Sequence, residues 1–132
     1  MYLADTSAWI NALRRPPRTS GIRLNQLIVA ETPVYLAGVV IQEVLQGARD
    51  ELRLQWYRER LSVQRRVDPV DSFETYAEAA RLYARCRWRG YTLGNTVDCL
   101  IARLAIEHDL ILLHDDADFE KIAQVEPQLK LA

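Results

Sequence analysis

Leu110-Ile111-Leu112-Leu113 is an unbroken apolar run with the length of a strand, followed at once by His114, Asp115 and Asp116. A strand with no polar face must be covered on both sides, which is the signature of a parallel sheet buried between helices. Tyr2 to Ala4 and Val34 to Ala37 read as two further short strands of this kind, and Arg66 to Val70 as a fourth, broken by Pro69. Leu129 to Leu131 adds a last edge strand. Between them lie stretches with apolar residues at helical spacing. The first is capped by Asp5-Thr6-Ser7 and ended by Pro16-Pro17. Others span Gly21 to Glu31, Val39 to Ala48, Asp50 to Ser62, Ser72 to Arg89, Asn95 to His108 and Asp116 to Gln124. Strands that alternate with helices predict an α/β fold with a parallel sheet. Ligands of such sheets bind beyond the C-terminal ends of the strands.

The chain has 132 residues, which suits one domain, residues 1–132, with one core. Its 49% apolar and 27% charged composition is that of a folded globular protein. No apolar run approaches the ~20 residues of a membrane span. The first residues, Met-Tyr-Leu-Ala-Asp, lack the basic start of a secretion signal, so a soluble cytoplasmic protein with no membrane partner is expected. Cys86 and Cys99 have no metal-type spacing and read as free buried thiols. A net charge of −1 does not advertise a nucleic-acid binder, yet all but two of the 17 cationic side chains are arginine. They cluster at Arg14, Arg15, Arg18 and Arg23, and again at Arg81, Arg85, Arg87 and Arg89. Arginine is the cation suited to bidentate contact with phosphate or carboxylate.

The acids carry the chemistry. Asp5 follows the first strand, and Asp115 and Asp116 follow the Leu110–Leu113 strand. Glu43 and Asp98 fall in the first turns of two helices, each among apolar neighbours: Val40, Ile41, Val44 and Leu45 around Glu43, and Val97, Leu100 and Ile101 around Asp98. Burying an unpaired charge is expensive, and these helix faces offer few cations. A shared divalent ion would satisfy several acids together. Most of these acids also have a plainer use: Asp5 and Asp115 or Asp116 as helix caps, and Asp98 with Asn95 as a variant capping box. Glu43 has no such use.

Four segments now become recognisable: Leu3-Ala4-Asp5-Thr6-Ser7, Gln42-Glu43-Val44-Leu45-Gln46-Gly47, Thr96-Val97-Asp98-Cys99-Leu100-Ile101-Ala102 and His114-Asp115-Asp116-Ala117-Asp118-Phe119-Glu120. In this order and spacing the chain resembles the PIN-domain family, and within it the VapC-like toxins of toxin–antitoxin pairs. The resemblance implies a three-layer α/β/α fold with a short parallel sheet and an endoribonuclease dependent on Mg²⁺ or Mn²⁺. It implies Asp5, Glu43, Asp98 and Asp116 as catalytic and metal-binding acids, with Asp118 as a further candidate. Thr6 or Ser7 would supply a hydroxyl that supports an acid. It also implies cleavage to a 5′-phosphate and a 3′-hydroxyl, a homodimer, an RNA substrate such as transfer RNA or a ribosomal RNA loop, and silencing by a VapB-like antitoxin. The chain departs from the family at His114, where threonine is usual.

The family pattern places the fourth ligand two residues after that position, at Asp116. On a helical wheel centred on Phe119, Asp116 lies about 60° from the inward direction and Asp118 about 100° on the other side. Asp115, at about 40°, also leans inward, so the wheel alone leaves it open. Rival folds fit less well. A phospho-receiver domain needs an acid pair at its first strand and a late lysine, whereas the first strand here ends in Asp5 alone and the third in Asp68-Pro69. A haloacid-dehalogenase-like phosphatase needs a second Asp where this chain has Ser7. A catalytically inactive binding module of the same fold would not need the full set of acids.

Overall fold

A computed structural model describes all residues, 1–132, of the chain. Five strands form one fully parallel sheet: β1 (Tyr2–Ala4), β2 (Val34–Ala37), β3 (Arg65–Val67), β4 (Ile111–Leu113) and β5 (Lys130–Leu131), in the order β3-β2-β1-β4-β5. The register sets Leu3 between Tyr35 and Leu112, so the central strand is buried from both sides.

Seven helices connect the strands: α1 (Thr6–Leu13), α2 (Thr19–Val29), α3 (Gly38–Gln46), α4 (Glu51–Ser62), α5 (Glu74–Trp88), α6 (Val97–Glu107) and α7 (Asp118–Val125). The chain steps outward from β1 to β2 and β3, then jumps back past β1 to β4 and β5. Crossovers between parallel strands are right-handed, so reversing the direction of travel moves the helices to the other face. Accordingly α1–α4 pack among themselves and α5–α7 among themselves, giving the expected α/β/α layers. Leu36, Val40, Ile101, Leu112, Phe119 and Ile122 fill the space between layers, each with less than 2% of its surface exposed. Cys86 and Cys99 are free and buried, as expected. No helix is long and apolar enough to cross a membrane.

Several boundaries differ from those read in the sequence. The third strand stops at Val67, so Pro69 lies outside it. Glu43 sits in the second turn of α3, because that helix starts at Gly38 directly after β2. The last helix starts at Asp118, which leaves His114 to Ala117 as a connecting turn. The second helix starts at Thr19, which puts Gly21 inside it. Gly21 is what lets α2 lie against α1: a Cβ there would stand 2.2 Å from the Asn11 carbonyl carbon and 2.3 Å from the Ala12 nitrogen. Backbone atoms cannot yield as a flexible side chain can. Gly21→Ala should therefore cost about 3 kcal/mol, at or above the usual range for an overpacked site, although alanine is the better helix former. Chemical denaturation of the two proteins measures it, and a neutral or stabilising change would show that the helices can separate freely.

Candidate metal centre

β1 and β4 are adjacent, but the connections leaving them run in opposite directions, which opens a crevice at their C-terminal ends. Asp5 stands at the end of β1, where its N–H donates to the Leu113 carbonyl at 3.0 Å. It caps α1: Oδ1 accepts from the Ala8 N–H at 3.0 Å and from the Ser7 hydroxyl at 2.7 Å. The residue is 3% exposed, and burial pushes its carboxyl above the ordinary range against the pull of these bonds. Capping and membership of an acidic centre thus coexist in one side chain.

Glu43 reaches the crevice from α3. The Thr6 hydroxyl donates to its Oε1 at 2.6 Å, and the Asn95 amide to its Oε2 at 3.2 Å. Nothing in the local sequence marks Asn95 as a site residue. Its spacing to Asp98 suggests a capping box, but its Oδ1 accepts from the Val97 N–H at 3.0 Å and its amide group holds Glu43. Asp98 is left free of any capping duty.

Asp98, in the first turn of α6, is 6% exposed, and no protein donor reaches its Oδ2. Its carboxyl is pushed up to about 7, first by burial and then by the charges of Asp116, Asp5, Asp118 and Glu43. Those four neighbours are the other acids that the family resemblance implies; Asp115 is not among them. Oxygen atoms of Asp98, Asp116 and Asp118 all lie within 4.8 Å of one another. Asp5 and Glu43 stand around this tighter group.

The three late acids have separate duties. Asp115 turns away, with Oδ2 accepting from the Asn11 amide at 2.8 Å and the Thr19 hydroxyl at 2.5 Å. Asp116 faces the other acids and accepts the Asp118 N–H at 2.9 Å on Oδ1. Asp118 accepts the Gly94 N–H at 2.7 Å on Oδ2 and Lys121 Nζ at 3.1 Å on Oδ1, and the Gly94 bond chiefly holds its carboxyl below the ordinary range. His114 is a structural side chain: its Nδ1 accepts the Asp116 N–H at 3.2 Å, and its ring lies against Phe119 with centroids 5.2 Å apart. Ser7 serves two partners, donating to Asp5 and accepting the Asp115 N–H at 2.8 Å.

Three helix N-termini, those of α1, α6 and α7, point at this crevice, and their dipoles offset part of the repulsion. Lys121 is the cation beside Asp118. That does not balance five carboxylates, and a buried carboxylate oxygen without a donor is costly. The donors are all oxygen, which suits a hard divalent cation rather than a thiophilic metal.

The chain is similar to known proteins along nearly its whole length. A model of the PIN domain matches residues 2–125. The chain is 33% identical over 126 residues to a VapC ribonuclease of Mycobacterium bovis and to Ribonuclease VapC11 of Mycobacterium tuberculosis, covering 95% of this chain and 93% of each relative. Among solved structures it is similar to VapBC2 from Rickettsia felis bound to a promoter DNA fragment, with a TM-score of 0.76 and 22% identity over 99% of this chain and 96% of that one. It is similar also to a toxin–antitoxin complex from Klebsiella pneumoniae, with a TM-score of 0.68 and 21% identity over 98% and 95%.

Asp98 gives a pH prediction. Its carboxyl is raised on folding from 3.8 to about 7, so the folded state favours the protonated form. The stability this contributes is complete below the ordinary value and is lost as pH rises through about 7. The metal-free chain should weaken over that window, and Asp98→Asn should gain on the order of 2 kcal/mol over it at pH 8. Urea titrations from pH 4 to 8 in EDTA check this; parallel pH profiles for the two proteins would show that Asp98 is not the strained acid.

Proposed function

The chain belongs to the PIN-domain family, and from that premise we propose that it is a metal-dependent endoribonuclease, the toxin of a VapBC-type pair. The observation that carries this reading is the buried Asp98 carboxylate, bare on Oδ2 and surrounded by Asp5, Glu43, Asp116 and Asp118. A structural role would leave such an oxygen paired with a donor. A cation shared with the neighbouring acids removes the penalty and gives the crevice a chemistry.

Asp5, Glu43, Asp98 and Asp116 are the residues that would hold the ion, Mg²⁺ or Mn²⁺. When bound it supplies positive charge for the phosphate oxygens and lowers the pKa of water for in-line attack. The protein's part is to keep its acids aimed. Ser7 and the Ala8 N–H fix Asp5, and Thr6 and Asn95 fix Glu43 from both sides. Such supporting bonds orient ligands and typically change affinity or activity by about 10–100-fold when removed. Asp118 is engaged by Gly94 and Lys121 through both oxygens, so it holds the α6 approach loop and shapes the centre more than it ligates. Neither His108 nor His114 is placed as a general base for the acids: one contacts the Asp68 carbonyl and the other the Asp116 N–H.

The toxin assignment is supported by the likeness along the whole chain to proteins named VapC. On this reading the partner is a VapB-like antitoxin and the protein works in the cytoplasm on RNA. A homodimer is supported by apolar side chains left in water at the start of α5: Phe73, just before it, is 75% exposed and Tyr76, in its first turn, 52%. Beside them runs a groove of about 370 Å³ bounded by Tyr76, Ala80, Tyr83 and Leu100.

RNA cleavage with Mg²⁺ and with EDTA tests the activity, and loss of cleavage in EDTA is expected. Glu43→Gln should abolish cleavage while leaving the fold intact by circular dichroism, since the variant relieves repulsion among the acids. A Glu43→Gln protein that unfolds would make Glu43 a structural acid. Asp116→Asn should lose about 100-fold or more at limiting Mg²⁺ and Asp118→Asn about tenfold; the reverse order would exchange their roles. Expression alone should arrest growth, and co-expression of the adjacent gene's product should relieve it.

A further inference from the structure

The first arginine cluster divides in the fold. Arg14 and Arg15, at the end of α1, meet Arg49 from the loop before α4 and Arg53 from the first turn of α4 around a pocket of about 300 Å³ that also includes Tyr57. Only Arg49 has a carboxylate within 4.0 Å, the exposed Asp50 at 3.5 Å. None of the four guanidinium groups donates a hydrogen bond to the protein, whereas Arg85 and Arg89 of the second cluster are spent on the Val125 and Gln124 carbonyls of α7. Trp56, next to the pocket, gathers three cations over its ring: Arg60 at 3.5 Å, Arg53 at 5.1 Å and Arg15 at 5.6 Å from the centroid. Cation–π attraction holds them near one another; Arg60 also donates to the Trp56 carbonyl at 3.2 Å, while the Arg15 and Arg53 guanidinium donors are unspent.

The pocket is placed by the same helices as the acids. Asp5 caps the start of α1 and Arg14 its end, so one short helix, ~12 Å long at 1.5 Å per residue, separates them. Gly47 borders the pocket one turn beyond Glu43 on α3. The acidic crevice by itself repels a polyanion, so strand affinity must come from cations nearby. A group of unpaired, fork-shaped donors a few nucleotides away meets that need.

We propose that the Arg14, Arg15, Arg49 and Arg53 pocket binds backbone phosphates of the RNA strand flanking the scissile bond, gripping the substrate along α1 and α3. The proposal rests on the nuclease reading and adds the place where the strand is held. Phosphate contacts set position and affinity without reading sequence, so the pocket lowers KM for long substrates and leaves the chemical step alone.

The test compares the wild type with Arg14→Gln/Arg15→Gln/Arg53→Gln on two labelled single-stranded RNAs, one of about 12 nucleotides and one of about 2, too short to span the ~12 Å from the acids to the pocket. On the long RNA the triple variant should raise KM about tenfold or more with kcat unchanged. The slope of log affinity against log salt should fall by about 2, three contacts at about 0.7 each. On the short RNA both constants should stay as in the wild type. Fluorescence anisotropy of the long RNA on Asp116→Asn, with and without the three changes, reads binding apart from turnover. Equal affinity and salt slope there overturn the pocket whether or not the wild type cleaves. A wild type that binds through the arginines but never cleaves overturns the nuclease reading and leaves the pocket. Unchanged RNA affinity with lost binding of the adjacent gene's product would make it a protein-docking site, which also overturns the proposal. Arg53→Gln alone, expected to lower the slope by about 0.7, serves if the triple variant melts early.

Discussion

An open parallel sheet covered by helices on both faces must reverse its connections somewhere, and where they reverse the strand ends are left uncovered. In this chain that place lies between β1 and β4, and the site depends on it. The strands are three residues long, so each emerges from the core almost as soon as it enters. Asp5 and Asp116 therefore lie close to fully buried residues such as Leu3 and Leu112 and still reach the crevice. Helix N-termini gather there for the same topological reason, since each parallel strand hands its chain to a helix at that edge. Negative side chains are tolerated at this edge because the helix dipoles point their positive ends at it.

The carboxylates do not lie there passively. Thr6 and Asn95 grip Glu43, Ser7 grips Asp5, and the Gly94 N–H grips Asp118. These bonds limit rotamer freedom among groups that would otherwise splay apart to relieve repulsion. Asp98 is the exception, with an oxygen that has no protein partner, and the strain of the acidic set falls on it. One side chain is thus held ready for a ligand by the restraint of its neighbours.

The layers and the place of Asp5 and Asp116 at one sheet edge could be read in the sequence, because both follow from local pattern; the nearness of Asp118 to Asp98 and Asp116 could not, since the wheel sets Asp118 on the other side. Continuous apolar runs mark buried strands, and acids that end such runs fall at one sheet edge. What could not be read depends on contacts between distant segments. Asp115 lay closer to the inward direction of the wheel than Asp116 did, but residues 114–117 are a turn and not helix, and Asn11 and Thr19, about a hundred positions earlier, draw it away. Asn95 resembled a capping residue in its local sequence, and only the approach of α3 to the loop before α6 gives its amide group to Glu43. The arginine pair at the end of α1 looked like part of one local cluster, yet its partners come from α4 and the loop before it.

The Ser7 hydroxyl, donating to Asp5 and accepting from the Asp115 N–H, bears on how this protein can change its length. It ties the end of β1 to the turn after β4, while Asp115 ties the same turn to Asn11 and Thr19. That turn has no slack: an inserted or deleted residue between Leu113 and Asp116 would break the serine link, the Asp115 clasp and the aim of Asp116 together. Surface loops elsewhere, such as the one joining α3 to α4, carry no such coupling to the acids. Indels are therefore expected to accumulate in descendants of this chain far from the β4–α7 turn, so that the spacing of its late acids outlasts the identity of most residues around them.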